Sequence, residues 1–313
     1  MNKSSYVGNE LVSIIMNCFN SEKYIKQSIN SVLNQSYKNW ELIIWDNCSE
    51  DNTAKIINQI NDPRINYFLS PIHTSLGSAR NEAIKLSKGK YLSFLDSDDI
   101  WLPNKLKTQM NHFRNNQTVN FIYSDHYVIN ENGKRVFNFN FGKRPTGKIL
   151  NSFLNKNVIP FTTVIFEASF IKNENNLFDT SLEVAEEFEF FTRILEEYNV
   201  SYLKIPLAEY RVYSNMTSKT SYYKYPNEIA YIIKKLKKCC KRSDFSRKEA
   251  IRQLELKNIY YKANLLMIKK NRIKASKLLF DIKFESFIFF FLYLLSLFNY
   301  RVWNIFHNLI NRY

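Results

Sequence analysis

Short apolar runs alternate with helical patterns through the first 124 residues of this chain, and this alternation restricts the fold more than any other feature. Each run is five or six residues long and rich in β-branched or aromatic residues, as in buried strands. The predicted strands are Leu11–Met16, Glu41–Trp45, Arg64–Leu69, Lys90–Leu95 and Val119–Tyr123. Because strands that alternate with helices form parallel sheets, the sequence predicts a mostly parallel, doubly wound α/β fold.

Amphipathic patterns between these strands predict the helices. Ser21 is expected to cap the first helix, Pro103 to begin another, and Gly89 to end a third. The turn Glu131–Gly133 predicts a hairpin. Other helices are predicted at Thr53–Ile60, Ser78–Ser87, Glu186–Glu197, Glu228–Lys241 and Lys248–Lys270.

Charge is distributed unevenly along the chain. Residues 1–221 carry 24 Lys and Arg against 23 Asp and Glu, whereas residues 222–313 carry 20 against 6. This difference predicts a near-neutral domain at 1–221 followed by a basic helical tail at 222–313. An anionic membrane leaflet and nucleic acid are the two candidate partners of such a tail.

Three carboxylates in four residues follow the predicted strand Lys90–Leu95. Asp96, Asp98 and Asp99 repel one another unless a cation lies among them, and Mg²⁺ or Mn²⁺ that also binds phosphate is the usual solution. The alternative is a solvated turn whose aspartates cap the next helix. Because ligands of such sheets bind at the carboxyl ends of the strands, the position favours a metal site.

Polar clusters also follow the first two predicted strands. Asn17 and Asn20 follow the first strand, and Asp46 and Asn47 follow the second. These residues could bind a nucleobase or ribose, although such residues also make turns and cap helices. Arg80, near a predicted helix start, either supports a phosphate or is an ordinary surface arginine.

Three stretches of the first 110 residues occur in a characteristic order and spacing. They are LVSIIMNCFN (11–20), SINSVLNQSYKNWELIIWDNCSEDNT (28–53) and GSARNEAIKLSKGKYLSFLDSDDIWLPNKLKTQ (77–109), with a weaker acidic match in EVAEEFEFFTRI (183–194). Together they resemble glycosyltransferase family 2. The resemblance implies a Rossmann-like GT-A fold, with a nucleotide-sugar-binding half at 11–124 and an acceptor half at 125–221. The basic tail lies outside it.

The resemblance also implies roles for individual residues of the donor site. Asn17, Asp46 and Asn47 match positions that hold the nucleobase and ribose. Asn20 and Arg80 lie within the matched stretches, and we expect them to contribute to nucleotide-sugar binding. Asn47 stands where many members have a second aspartate. The amide in its place affects which nucleobase the donor site would select.

The acidic residues of the family pattern have counterparts as well. Asp96 and Asp98 match the DXD motif, whose last aspartate ligates Mn²⁺ or Mg²⁺ under the diphosphate. Glu187 matches the catalytic base, with Glu186 as the second choice. Arg211 matches an arginine late in the domain and is assigned to the nucleotide-sugar site. Two residues after Arg211, Tyr213 stands where a histidine is common in the family.

The implied activity is inverting, metal-dependent transfer of a sugar from a nucleotide-diphosphate donor to a hydroxyl of a glycan or lipid-linked glycan. Such transfer needs charge neutralised on the leaving diphosphate and a carboxylate that takes the proton of the attacking hydroxyl. A single base opposite the leaving group gives inversion. The Glu186, Glu187 and Glu189 cluster would raise the pKa of one carboxyl, unless it is only a solvated helix face.

The apolar run Phe287–Phe298 is too short for a transmembrane helix, which needs about 20 residues. With the lysines before it and with Tyr300 and Trp303 as interface anchors, residues 284–310 are predicted to associate with an anionic membrane surface. Because the aromatic residues are massed after the charges and not interleaved with them, nucleic acid is not the expected partner. The alternative is a helical segment that packs on the α/β domain.

Cysteine and histidine usage completes the expectations. The four cysteines form no CxxC pair and the first ten residues lack an apolar signal, so we expect a cytoplasmic protein, peripheral on the inner face of the cell membrane. The four histidines show no metal-ligand spacing and are expected in loops or on the surface. The alternative function is a catalytically degenerate GT-A domain that acts as a membrane-associated interaction protein.

Overall fold

The computed structural model describes residues 9–138, 144–172, 177–214, 216, 220–241 and 243–310. The chain divides into two compact units, residues 1–219 and 220–313. The expected boundary lies after residue 221. The functions assigned to the two parts, and the division of the first part at residue 124, stay predictions.

One nine-stranded sheet forms the centre of the first unit. The strands are β1 (Val12–Cys18), β2 (Trp40–Asp46), β3 (Ile65–Leu69), β4 (Tyr91–Phe94), β5 (Ile100–Trp101), β6 (Phe121–Ile129), β7 (Arg135–Asn138), β8 (Ile165–Glu167) and β9 (Val200–Arg211). Their order is β3-β2-β1-β4-β8-β6-β9-β5, with β7 paired to β6. The first four strands are parallel as predicted, whereas β8 runs antiparallel to both β4 and β6.

Helices of the first unit follow the predicted alternation. They are α1 (Ile25–Leu33), α2 (Thr53–Asn58), α3 (Leu76–Lys85), α4 (Lys105–Asn115), α5 (Leu150–Asn155) and α6 (Glu186–Glu197). Strands β1 and β2 are buried on both faces, which is why they read as continuous apolar runs. Ile25, Ile29 and Val32 of α1 pack into the same core. The predicted hairpin forms between β6 and β7, with Gly133 at φ 78° in the turn.

Three predicted helix ends are wrong, and each residue has another role. Helix α1 begins after Tyr24 without a side-chain cap, and the Ser21 hydroxyl instead lies 2.9 Å from the Ser97 hydroxyl. Pro103 precedes α4 by two residues. Gly89 follows α3 by four residues, and its N–H donates to the Ser13 hydroxyl at 2.8 Å. Gly89 is therefore required by close packing on β1 and not by helix termination.

The second unit is helical. Its helices are α7 (Tyr225–Cys239), α8 (Phe245–Ile268), α9 (Arg272–Phe280), α10 (Phe287–Ser296) and α11 (Tyr300–Ile310). Within the described ranges, no helix combines the length and apolar character needed to cross a bilayer. Trp303 is not an interface anchor, since it is buried in the core of this unit and its indole N–H donates to Asn264 at 2.9 Å. The predicted anchor role of Trp303 is therefore wrong.

Gly89→Ala should destabilise the first unit by about 1–3 kcal/mol, because the added methyl overfills a packed site. A Cβ at Gly89 would lie 2.6 Å from the Ser13 nitrogen, far inside van der Waals contact. Gly77→Ala is the matched control, since its nearest neighbour would be 3.4 Å away and alanine favours the helix there. Urea unfolding measures both, and an equal midpoint for the two variants would contradict the packing argument.

Candidate active site

The carboxyl ends of β1, β2 and β4 meet at one edge of the sheet and open into a cavity of about 1370 Å³. The structure brings eight of the ten predicted site residues to the wall of this cavity. They are Asn17, Asn20, Asn47, Arg80, Asp96, Asp98, Glu186 and Glu187. Asp46 and Arg211 are buried behind the wall. The first unit therefore places most of the predicted polar residues around one space.

The end of the cavity near β1 and β2 combines aromatic rings with amide groups. Phe19 is 46% exposed, and its ring lies 4.3 Å from that of His73. The Asn47 amide donates to the Thr74 carbonyl at 2.8 Å and accepts from the Thr74 N–H at 3.1 Å. A carboxylate could not make both bonds, so an amide suits this position. The Asn17 side-chain nitrogen is buried and has no hydrogen-bond partner among the described residues.

Two predicted nucleotide-binding residues make structural hydrogen bonds. Asp46 is fully buried, and its carboxylate accepts from the Ser49 N–H at 2.8 Å and the Tyr67 hydroxyl at 2.9 Å. Asn20 has φ 49° and accepts from the Glu50 N–H at 2.9 Å. These bonds fix the loops after β1 and β2. Direct contact of Asp46 or Asn20 with a nucleotide stays a prediction.

Arg80 is buried and bonds three carboxylates at once. It lies on the inner face of α3, and its guanidinium donates to Glu187 at 2.8 Å, Glu186 at 3.0 Å and Asp96 at 3.3 Å. The Phe161 ring covers it, with the guanidinium carbon 4.2 Å from the ring centroid. The surface-arginine alternative is therefore wrong. The hydrogen-bond donors of Arg80 point to protein carboxylates. Binding of a phosphate by Arg80 stays a prediction.

The first turn of α6 carries the candidate bases. Glu186 is 4% exposed, whereas the side chain of Glu187 remains 35% exposed to the cavity. Burial raises the pKa of Glu187 to about 8; the charges of Glu186 and Asp96 add to the rise, and Arg80 opposes it. A carboxylate with such a pKa, once ionised, is a stronger proton acceptor than an ordinary glutamate. The cluster is not a solvated helix face.

Asp98 and Asp99 are held from the side of β9. The Arg211 Nε donates to the Asp98 carbonyl at 2.7 Å, and the Arg211 main-chain N–H donates to the Asp99 carboxylate at 2.9 Å. The Tyr213 hydroxyl donates to the Asp98 carboxylate at 2.9 Å. Burial and the nearby Asp96 charge raise the pKa of Asp98 to about 6. Arg211 thus fixes the acidic loop, and its assignment to nucleotide-sugar binding stays a prediction.

A divalent cation fits this loop only with help from the donor. Among the described residues, no group of three or more His, Cys, Asp and Glu side chains is placed to hold a metal ion. Mg²⁺ commonly uses one or two carboxylates and completes its shell with phosphate oxygens and water. Asp96 and Asp98 would be those carboxylates. Burial is the main cause of the raised pKa of Asp98, and the Asp96 charge adds a repulsion that a cation would relieve.

His126 contradicts the expectation of surface or loop histidines. It lies on β6, is 8% exposed, and faces the cavity. Burial, together with the positive charge of Arg144, lowers its pKa to about 4. Its neutral imidazole and the Arg144 guanidinium line the part of the cavity contributed by β6 and the segment before α5. A single histidine in a strand gives no sequence signal for such a position.

Comparison with known proteins identifies the family. Residues 13–172 match the sequence profile of glycosyl transferase family 2. The chain belongs to glycosyltransferase family 2. The chain is 35% identical over 194 residues to the Escherichia coli UDP-Glc:alpha-D-GlcNAc-diphosphoundecaprenol beta-1,3-glucosyltransferase WfgD, an alignment that covers 61% of this chain and 72% of WfgD. This family 2 member is therefore a glycosyltransferase, as predicted.

A second relative agrees with the family, and solved structures agree with the fold. The putative colanic acid biosynthesis glycosyl transferase WcaA of Escherichia coli is 33% identical over 197 residues, covering 61% of this chain and 68% of WcaA. Residues 1–349 of S. aureus TarS in complex with UDP-GlcNAc superpose with a TM-score of 0.68 at 18% identity, over 87% of this chain and 79% of that fragment. The mannosyltransferase PcManGT of Pyrobaculum calidifontis superposes with a TM-score of 0.62 at 15% identity, over 93% of this chain and 82% of that chain. The predicted GT-A fold is confirmed.

Some cavity residues of this glycosyltransferase could not be predicted from the sequence. Phe19 and His73 meet only because the loops after β1 and β3 meet, and a histidine in a loop has no special signal. An aromatic residue inside the polar turn after β1 is the only pointer to Phe19. Tyr213 stands out in the sequence as a departure from the family, and its bond to Asp98 is a property of the fold.

Arg80→Met should destabilise the protein by about 3–5 kcal/mol, because it leaves three neighbouring carboxylates without their cation. The loss should be larger at pH 8.5 than at pH 6. The folded-state pKa of Glu187 is already raised, and without Arg80 it should rise further above its unfolded value, so the cost of burying its charge is greatest at high pH.

Urea unfolding at the two pH values measures this difference. Arg135→Met is the control, because Arg135 is half-exposed and pairs with Glu209 at the surface. Its loss should be below about 1 kcal/mol and independent of pH. Equal losses for the two variants, or a smaller loss at pH 8.5 for Arg80→Met, would contradict the role of Arg80.

Proposed function

We propose that this glycosyltransferase is inverting and metal-dependent, and that it transfers a sugar from a nucleotide-diphosphate donor to a hydroxyl of a lipid-linked glycan. One observation carries the proposal. A single buried guanidinium, that of Arg80, contacts the acidic loop at Asp96 and the candidate base Glu187. The group that would face the leaving diphosphate and the group that would take the proton are therefore held on one cavity wall.

The donor end of the cavity supports a nucleotide. The exposed Phe19 ring beside His73 offers a stacking surface for a base, and the buried amide nitrogen of Asn17 offers a donor. WfgD is named for UDP-Glc, and TarS is in complex with UDP-GlcNAc. We therefore propose a UDP-sugar as the first donor to test. Asp46, Asn47 and Asn20 would act here mainly by fixing the loops.

Asp98, with Asp96, would hold the divalent cation. When bound, Mn²⁺ or Mg²⁺ supplies positive charge to the leaving diphosphate. The protein's own part is to fix the two carboxylates: Tyr213 and Arg211 orient Asp98, and Arg80 orients Asp96. PcManGT is in complex with GDP-Man and Mn²⁺, which supports a cation in this fold.

Glu187 would accept the proton of the attacking hydroxyl. Arg80 fixes one Glu187 oxygen at 2.8 Å, and the side chain remains accessible from the cavity. Attack from the side opposite the diphosphate inverts the anomeric centre, because only one displacement occurs. Glu186 is nearly fully buried, so it is the less suitable base.

The acceptor is proposed to be a lipid-linked glycan at the inner face of the cell membrane. WfgD is named for a diphosphoundecaprenol-linked GlcNAc acceptor. Such an acceptor stays in the bilayer, so an enzyme that uses it must reach the membrane surface. The basic second unit would supply that affinity.

Asp98→Ala should abolish cation-dependent nucleotide binding, because one of the two carboxylates of the cation site is lost. Thermal shift with UDP, GDP, CDP and dTDP, each with and without Mn²⁺, measures this. The wild type should be stabilised by one nucleotide, more strongly with Mn²⁺, and saturation at 100 times Kd adds about 2.7 kcal/mol. A wild type that responds to none would favour the degenerate-domain alternative, and an Asp98→Ala variant that responds normally would remove the metal assignment.

Glu187→Gln should retain nucleotide binding and lose transfer by at least about 10²-fold, because the amide cannot accept the proton. Glu183→Gln is the matched control, since Glu183 also lines the cavity and lies outside α6. The wild-type kcat/KM should rise with pH up to about 8 and then level off, since only the ionised carboxylate accepts a proton. NMR of the product anomer tests inversion. Full activity of Glu187→Gln would exclude this residue as the base.

A further inference from the structure

Helices α9 and α10 of the second unit form an antiparallel hairpin. The Arg272 guanidinium at the start of α9 donates to the Leu297 carbonyl just after α10, at 3.4 Å. The Ser276 and Ser296 hydroxyls are 2.9 Å apart, and the rings of Phe280 and Tyr293 are 5.5 Å apart at the other end. These contacts define the hairpin, residues 272–298, as one local structure.

Helix α10 has no polar face. Its sequence FIFFFLYLLS is apolar on every side, but only Leu292, Leu295 and Ser296 are buried in the core of the unit. The side chains of the outer face are exposed at a spacing of three or four residues, as expected for one stripe of a helix. With a residue just beyond the helix, this stripe consists of Phe287 at 82%, Phe290 at 39%, Leu294 at 38% and Phe298 at 56%. Two neighbouring exposed side chains, Ile288 at 60% and Leu297 at 47%, widen it.

The turn of the hairpin extends this stripe. Phe284 is 86% exposed, and the Lys283 ammonium lies 4.6 Å from its ring centroid and 2.9 Å from that of Phe280. A large, contiguous exposed apolar surface is unusual for a soluble domain and marks an interaction site. We define the outer stripe of α10 together with Phe284 as the hairpin face.

Positive charge surrounds the hairpin face. Residues 269–301 contain seven Lys and Arg against two acidic residues. One of those two, Glu285, is paired with Arg252 of α8. Exposed basic side chains therefore flank an apolar surface, which is complementary to an anionic lipid surface with its charged head groups above acyl chains. A protein partner with an apolar patch would not require this positive rim.

We infer that the hairpin face enters an anionic phospholipid bilayer, with α10 lying in the plane of the interface. Helix α10 has 10 residues and is about 15 Å long, too short to span the acyl region but suited to lie along it. The inference rests on the proposed function, because a lipid-linked acceptor is what would bring the enzyme to a bilayer. It adds which side chains contact the lipid. Trp303 plays no part, because it faces the core.

Co-sedimentation of the full chain with phosphatidylcholine vesicles, with and without phosphatidylglycerol, tests this assignment. The wild type should bind the anionic vesicles more tightly. Phe287→Ser with Phe290→Ser should weaken that binding at least about tenfold, because two large apolar side chains lose their lipid contact. Lys274→Gln with Lys277→Gln should weaken it by about fivefold per lysine on anionic vesicles only.

Phe245→Ser is the matched control. Phe245 is 78% exposed, about as much as Phe287, but it lies on α8, outside the hairpin. Its vesicle binding should equal that of the wild type. An equal loss in both phenylalanine variants would overturn the assignment of the hairpin face. So would unchanged binding of Phe287→Ser with Phe290→Ser, or loss of self-association in place of vesicle binding.

Two further measurements keep the outcome interpretable. Photoactivatable phospholipid should label peptides of the wild type within residues 284–298. Because this experiment uses no variant, misfolding of a variant cannot affect it. Labelling only outside these residues would overturn the inference. Transfer to a water-soluble, short-chain acceptor should be unchanged in Phe287→Ser with Phe290→Ser. Vesicle binding without any transfer would count against the proposed function alone, and transfer without vesicle binding against the hairpin face alone.

Discussion

The Arg80 guanidinium is fully buried, and it can lie there only because three carboxylates neutralise and bond it. Removing the guanidinium alone, or the carboxylates alone, would leave an uncompensated charge in the protein interior, which is strongly destabilising. The consequence is geometric. Helix α3, the acidic loop after β4 and the first turn of α6 must come to the same point, because α3 and the loop each contribute one member of this cluster and α6 contributes two. The shape of the candidate active site depends on that requirement.

Other buried polar groups hold the strands on either side of the acidic loop. The Lys105 ammonium is fully buried between β4 and β5, where it donates to the Ser93 hydroxyl at 3.1 Å and lies 3.9 Å from the centroid of the Trp101 ring. The Trp101 indole donates to the Thr162 carbonyl at 2.8 Å. These bonds connect the loop to the 3₁₀ turn at 161–163 that also covers Arg80. The loop is thus fixed from both sides before any ligand binds, which favours a preorganised site.

The second unit divides one apolar sequence between two environments. Half of α10 forms the core with Trp303, and the other half remains exposed. Composition alone cannot make this division, because apolar residues occur on every side of the helix. Register decides it: the contacts of Ser276 with Ser296 and of Phe280 with Tyr293 fix the rotation of α10, and with it the side chains that are left for lipid.

Much of the first unit follows from local pattern. Apolar runs with intervening helices predict the parallel strands β1–β4, and three spaced motifs indicate the family. The same patterns do not predict the helix ends, because Ser21 and Gly89 make contacts with residues distant in sequence. The later strands, which join the sheet in mixed directions, have weaker patterns, and His126 on β6 gives no sign of its burial.

The sequence by itself determined the α/β alternation, the acidic and polar residues at the strand ends, and the concentration of positive charge in the last third, because these are properties of residue type and order. The tertiary structure decided which of those residues face the cavity. It buried Asp46 and Arg211 behind the wall, placed Arg80 among carboxylates from two other segments, and turned Trp303 inward. Such choices depend on contacts between distant segments, and local pattern does not encode them.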